Sequence, residues 1–282
     1  MRIGMNMLLW TTHVTEADYP HIKAIQRAGF DGIEIPLFEG DAAHFRALRK
    51  VLDDNGLTCS TVTVSGEDTN PISSDAVIRR AAVDDLKRKI EFSAILGSDV
   101  MVGPFHQPLG VFSGDGPSAD EKSRAAEVHR AAAVAAAGAG LKLGIEYLNR
   151  FECYFLNTAA DAVAHVKRVG HPAFSTMYDT FHANIEEKDP IAAYRDHAEH
   201  IVHFHVSEND RGTPGKGSIP WTETFRALRA SAYDGWLTIE AFGRALKDLA
   251  AATKVWRDFS ETPEAVYREG YRHIRDGWAS AA

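Results

Sequence analysis

The sequence predicts an α/β fold: a single (β/α)8 TIM barrel over residues 1–282, with an extra C-terminal helix. Three observations predict it. A helix–glycine–strand phrase recurs along the chain, eight strands can be counted, and no glycine-rich phosphate turn follows the first of them. Strict β–α alternation implies a parallel sheet with helices outside, and eight units imply closure. An open doubly wound sheet would carry the missing turn, and Asn6–His13 holds no glycine. The 282 residues, 45% apolar, suit one barrel, and no Pro/Gly/Ser-rich linker divides them.

The first strand is Ile3–Leu8. Ala28-Gly29-Phe30 then leads into a strand at Gly32–Pro36, Asn55-Gly56 into Leu57–Val64, and Leu96-Gly97 into Asp99–Gly103. Ala139-Gly140 leads into Leu141–Leu148, and Val169-Gly170 into Phe174–Asp179. Ile201–Ser207 is the seventh strand, and Asp234-Gly235 leads into the eighth, Trp236–Ala241. Glycine closes each helix because it accepts the left-handed conformation just past the last turn. The runs that follow are short and rich in Val, Ile, Thr and aromatics, as strands are. Helices are expected between them, among others over Asp41–Asn55, Asp75–Leu96, Ser118–Ala137 and Thr158–Val169. The tail, Leu246–Ala282, reads as helical. Its rings Trp256, Phe259, Tyr267, Tyr271 and Trp278 are expected either to cover the barrel or to form a subunit interface.

Composition narrows the function. A formal net charge of -8 gives no general attraction for polyanions, so nucleic acid is not an expected partner. Cys59 and Cys153 are too few for a disulfide framework and form no CxxC, which points to a reducing compartment, the cytoplasm. Met1–Trp10 is too short for a signal segment, and Ala131–Leu141 is too short to cross a bilayer and is broken by Gly138 and Gly140. Neither export nor a membrane anchor is expected.

Strand side chains alternate faces, which selects the residues that point into the barrel. His203 and His205 share one face of Ile201–Val206. Glu146 faces opposite to Ile145, Glu240 opposite to Leu237 and Ile239, and Asp179 ends its strand. The fifth to eighth strands therefore each present a ligand-type residue at the C-terminal end, where barrel active sites are built. Three carboxylates buried together need a cation. Oxygen donors with one imidazole suit Mn²⁺, Mg²⁺ or Co²⁺ better than structural zinc. Two carboxylates from different strands can approach a carbon from opposite sides, which suits proton abstraction and return. A lone strand-end glutamate is more often a salt-bridge partner, and an HxH on a strand is not specific; the weight lies in four such ends in succession.

Glu34 has the same inward geometry and is expected to support the ligands or touch the substrate. His13 and His106 are expected at the barrel mouth. His21, His44, His129, His165, His197, His200 and His273 fall in helical segments and are expected at the surface. The segment Arg211–Ser218 is not a Walker A loop, because Lys216 is followed by glycine. It reads as a flexible loop, or as a lid that carries Arg211 to the substrate.

At these residues the chain resembles the ketose 3-epimerases (D-tagatose, D-allulose and L-ribulose 3-epimerases) among the xylose-isomerase-like barrels. The matching stretches are Gly144-Ile-Glu-Tyr-Leu-Asn-Arg-Phe-Glu152, Leu156-Asn157-Thr158 and Tyr178-Asp-Thr-Phe-His-Ala-Asn-Ile-Glu-Glu187. His203-Phe-His205, Glu208-Asn-Asp-Arg211 with its glycine-rich loop and Trp221, and Ile239-Glu240 complete the set. The resemblance implies that Glu146, Asp179, His205 and Glu240 hold a divalent metal, most simply Mn²⁺. It implies that Glu146 and Glu240 are the acid/base pair, and that Glu152, His182 and Arg211 hold the sugar. It also implies epimerisation at C3 through a cis-enediolate, and a homodimer or homotetramer.

The segments Ser65–Ser74 and Gly103–Gly116 match no substrate-defining pattern, although Phe112 is placed where an aromatic could cover the sugar. A free ketose, a keto-glycoside, a sugar acid or a phosphorylated sugar stays open. Three rivals remain: an aldose–ketose isomerase of the hydroxypyruvate isomerase type, a dehydratase or lyase, and a non-catalytic sugar-binding or DNA-binding barrel. Product stereochemistry separates the first, loss of water the second, and the presence of all four ligand-type residues opposes the third.

Overall fold

The computed structural model describes residues 1–281. Eight parallel strands close into a barrel in sequence order. They are β1 (Arg2–Asn6), β2 (Gly32–Pro36), β3 (Thr58–Val62), β4 (Val100–Gly103), β5 (Lys142–Ile145), β6 (Phe174–Asp179), β7 (Ile201–Val206) and β8 (Trp236–Ile239). Pairing of β1 with both β2 and β8 closes the cylinder. The outer helices are α1 (Tyr19–Ala28), α2 (Ala42–Asp54), α3 (Ala76–Leu96), α4 (Ala119–Gly138) and α5 (Ala159–Val169). They continue with α6 (Thr180–Glu186), α7 (Pro190–His197), α8 (Trp221–Ala230), α9 (Lys247–Ala252) and α10 (Pro263–Ser280).

The helices begin and end where their chemistry says. Asp41, Asp75, Ser118 and Thr158 cap α2, α3, α4 and α5 with a side-chain oxygen on a first-turn N–H. Gly97 stops α3 at φ 73°, the left-handed geometry that glycine adopts without penalty. Several strands are shorter than the sequence suggests. The fifth runs over Lys142–Ile145, not Leu141–Leu148, and the third over Thr58–Val62. Their C-terminal residues leave the ladder and turn into the mouth. Gly103 ends β4 at φ 123°, and a Cβ there would meet Thr63 O at 2.1 Å, so only glycine lets the two strand ends approach this closely.

The tail divides. Tyr267 and Tyr271 pack on Trp10 and Phe30, and α10 lies against α1, α8 and β8, closing the helical ring. Trp256 instead stands 68% exposed. Two of the histidines expected at the surface are in the core. His129 and His165 are buried, with His129 Nδ1 2.7 Å from His165 Nε2 and His129 Nε2 3.1 Å from Phe105 O. The alanines of α4 (Ala125, Ala132, Ala133 and Ala136) bring that helix close enough to the barrel to enclose the imidazole between Phe105 and Phe174. Among the described residues no helix is long and apolar enough to cross a membrane.

Candidate active site

The C-terminal rim of β5 to β8 gathers four side chains. Glu146 follows the last residue of β5 and is anchored by its N–H to Gly103 O at 3.0 Å. Asp179 ends β6 and also caps α6: Oδ1 accepts the N–H groups of Phe181 (2.6 Å) and His182 (3.2 Å), and Oδ2 accepts the Ser207 hydroxyl at 2.8 Å. His205 lies on β7, and Glu240 follows β8. All four are buried.

Their atoms converge on His205 Nδ1, which lies 3.4 Å from Asp179 Oδ2, 3.4 Å from Glu240 Oε1 and 4.0 Å from Glu146 Oε1. One ligand atom from each of the four falls within 4.8 Å of the other three. Nδ1 is buried and has no hydrogen-bond partner. An orphaned, buried imidazole nitrogen facing three buried carboxylates is a donor set that could hold a divalent cation. The electrostatics agree. Burial, and then the Glu240 charge, push Glu146 well up; burial raises Glu240 to about 7. Burial disfavours charge on His205, but the carboxylates of Glu34 and Glu240 outweigh it and raise the imidazole. Burial and neighbouring negative charge thus work against a full set of carboxylate charges at Glu146 and Glu240.

Glu34, on β2, stands behind this set rather than in it. Its Oε1 accepts His205 Nε2–H at 2.8 Å and Asn6 Nδ2–H at 2.9 Å, and its Oε2 accepts the Ser60 hydroxyl at 2.8 Å and lies 2.9 Å from His203 Nε2. Burial pushes its carboxyl up, but the imidazoles of His205 and His203 outweigh that and hold it well below the usual carboxylate range. Asn6 reaches on to Glu240 Oε1 at 3.2 Å. Asn6, Ser60 and His203 escaped the sequence reading as site residues, although each lies on the face that alternation assigns to the barrel interior.

Glu152, His182 and Arg211 meet beside Glu146. Arg211 Nη2 is 3.3 Å from Glu152 Oε1 and 3.0 Å from His182 Nε2, with the guanidinium over the rings of Phe181 (4.1 Å) and Phe242 (4.9 Å). The Asn149 N–H donates to His182 Nδ1 at 3.0 Å, and burial lowers that imidazole to about 4. The neutral ring therefore carries its proton on Nε2. Two donors, His182 Nε2 and Arg211 Nη2, converge there, and Arg211 Nε and Nη1 are buried with no partner. Beside the Glu152 carboxylate this corner thus keeps donors to spare, which the oxygens of a polyhydroxylated ligand would satisfy.

The loop Arg211–Ser218 is neither a flexible loop nor a lid over its first half: residues 211 to 214 are buried, and only 215 to 218 are exposed. His106, expected at the mouth, is fully buried with both ring nitrogens unpartnered, and His13 stacks on His44. Phe112 stands 48% exposed on its loop.

A family model described as xylose isomerase-like TIM barrel matches residues 22–277. The chain is 32% identical over 275 residues to a probable ketose 3-epimerase of Synechocystis sp., covering 98% of this chain and 96% of that protein. It is 34% identical over 264 residues to the D-psicose 3-epimerase of Agrobacterium fabrum, covering 92% and 91%. A crystal structure of a D-psicose 3-epimerase in the presence of D-fructose superposes with a TM-score of 0.90 at 32% identity, covering 98% of each chain.

Proposed function

Because the chain belongs to the ketose 3-epimerase family of xylose isomerase-like TIM barrels, and so to the isomerases, we propose that it interconverts ketoses at C3, with Glu146 and Glu240 as the acid/base pair. The observation that carries the reading is the convergence of two carboxylates, from the ends of β5 and β8, on one orphaned imidazole nitrogen. Glu146, Asp179, His205 and Glu240 fit a divalent cation, which we take as Mn²⁺ ahead of Co²⁺ and Mg²⁺. When bound, such an ion supplies charge neutralisation and Lewis acidity next to the substrate carbonyl.

The chain's own residues do the rest. Arg211 and His182 donate to the sugar's oxygens, and Glu152 accepts from its hydroxyls while holding the guanidinium. One glutamate takes the C3 proton and leaves a cis-enediolate; the other returns a proton from the opposite side. Epimerisation needs both, since a single base working from one face would restore the starting sugar. Phe181 and Phe242 flank the guanidinium and keep water from it. We further propose that residues 1–282 work as one domain, in the cytoplasm, as a homodimer or homotetramer.

The test is incubation of the Mn²⁺-loaded protein in D₂O with D-fructose, D-tagatose and L-ribulose, followed by NMR at C3. Deuterium at C3 together with the C3 epimer supports the reading. Exchange at C1 with aldose formation moves it to an aldose–ketose isomerase.

A further inference from the structure

Glu208 is buried with no exposure to solvent, and it stands two residues beyond β7. No cation pairs with it among the described residues. Four N–H groups do instead: Oε1 accepts from the backbone of Asn209 (3.1 Å) and Ile219 (3.1 Å), and Oε2 from the backbone of Gly215 (2.8 Å) and the indole of Trp221 (2.9 Å). The chain between Glu208 and Trp221 is thus wound around a single carboxylate, each of whose oxygens serves two donors. The winding is tight: a Cβ on Gly217 would lie 2.5 Å from Glu208 Oε1 and 2.0 Å from Asn209 Oδ1.

Arg211 lies inside this loop. It holds φ 60°, a left-handed conformation that a non-glycine residue keeps only under constraint. The constraint comes from both sides. Its N–H donates to Glu208 O at 2.9 Å, and its C=O accepts Phe242 N–H at 3.1 Å. From that backbone the guanidinium reaches Glu152 and His182 with two donor nitrogens unpartnered.

We infer that Glu208 is a positioning residue for substrate recognition: its carboxylate fixes the loop backbone that holds Arg211 in its strained conformation, and so aims the guanidinium at the sugar. The inference rests on the reading of Arg211 as a substrate contact. Preorganisation of this kind acts on ligand affinity, because a guanidinium already in place loses little freedom on binding. It leaves the four metal-ligand candidates alone, since none of them belongs to the loop.

The experiment is a double-mutant cycle on Glu208→Gln and Arg211→Ala, with whichever of D-fructose, D-tagatose and L-ribulose the unmodified protein turns over fastest. The amide keeps the shape of the carboxylate but turns one oxygen into a donor facing two donors. Glu208→Gln is expected to raise KM ten-fold or more with a smaller change in kcat, and to leave Mn²⁺ affinity by calorimetry unchanged. In the Arg211→Ala background the same change is expected to alter kcat/KM less than two-fold. An undiminished loss in that background overturns the inference, as does a Glu208→Gln variant that loses thermal stability with KM unchanged. Should Glu208→Gln not fold, Trp221→Phe removes one of the four donors and is expected to raise KM in the same Arg211-dependent way; an unchanged KM there overturns it too. Wild-type activity in Arg211→Ala alone instead sinks the reading of Arg211.

Discussion

Glu34 Oε1 accepts the Nε2 proton of His205 at 2.8 Å, which turns the opposite ring nitrogen, Nδ1, toward Glu146, Asp179 and Glu240. A carboxylate behind a ligating imidazole fixes its tautomer and raises its basicity. In Glu34→Gln the amide would meet the donors of Asn6, Ser60 and His205 without enough acceptors. Calorimetric titration is expected to show Mn²⁺ bound roughly 10–100-fold more weakly. An unchanged affinity would show that His205 is oriented by packing alone.

Glu240→Gln keeps the shape of the site and removes a base. Turnover is expected to fall by about 10²–10⁴-fold or more, the usual contribution of a positioned acid or base. Because Gln keeps an oxygen that can ligate, Mn²⁺ should still bind, and measuring affinity beside rate separates lost chemistry from lost metal. Wild-type turnover in this variant would remove Glu240 from the acid/base pair.

Three carboxylates that share one imidazole repel one another until a cation arrives. Mn²⁺ at roughly 100 times its Kd should stabilise the fold by about 2.7 kcal/mol, a shift in Tm of about 5 °C or more for a chain of this size. Calorimetry before and after exhaustive chelation reads it. Equal Tm and equal activity in both states would argue against a metal centre.

Burial lowers His129 to about 4 and takes His165 well below its ordinary value. The unfolded chain therefore binds protons that the folded one refuses between about pH 6.5 and 4. Stability from this pair is complete above pH 6.5 and lost as pH falls toward 4, by roughly 3 kcal/mol for His129 alone. Urea midpoints across that window should fall with acid, and fall less steeply when both histidines are replaced by leucine. An equally steep slope in the double variant would assign the acid sensitivity to other groups.

What alternation could reveal, it did. Glu146, Asp179, His205 and Glu240 lie together where inward-facing strand ends placed them, because two-residue periodicity carries straight into the barrel interior. Glu34 was legible as an inward-facing support for the ligands, but its partners were not. Nothing in Gly32-Ile33-Glu34 says that its carboxylate meets a histidine 171 residues later. Nor does an imidazole among alanines reveal that the helix lies close enough to bury it, as with His129. The loop at Arg211–Ser218 misled for a different reason: its glycines read as mobility, whereas at Gly217 the missing side chain makes room for Glu208.

The hydrogen bonds of Asn6 bear on how the protein is made. One amide group joins Glu34 of β2 to Glu240, just past β8, so it ties the first two strands to the end of the eighth. On the ribosome, Asn6 and Glu34 emerge early and wait with their donors and acceptors open to water, while Glu240 emerges only after all eight strands have been made. Closure of β8 against β1 then completes the barrel wall and the polar network in the same event. A nascent chain stopped short of residue 240 would carry three of the four ligand candidates and still lack the contact that joins its two ends, so competence to bind metal should arrive late and all at once in synthesis.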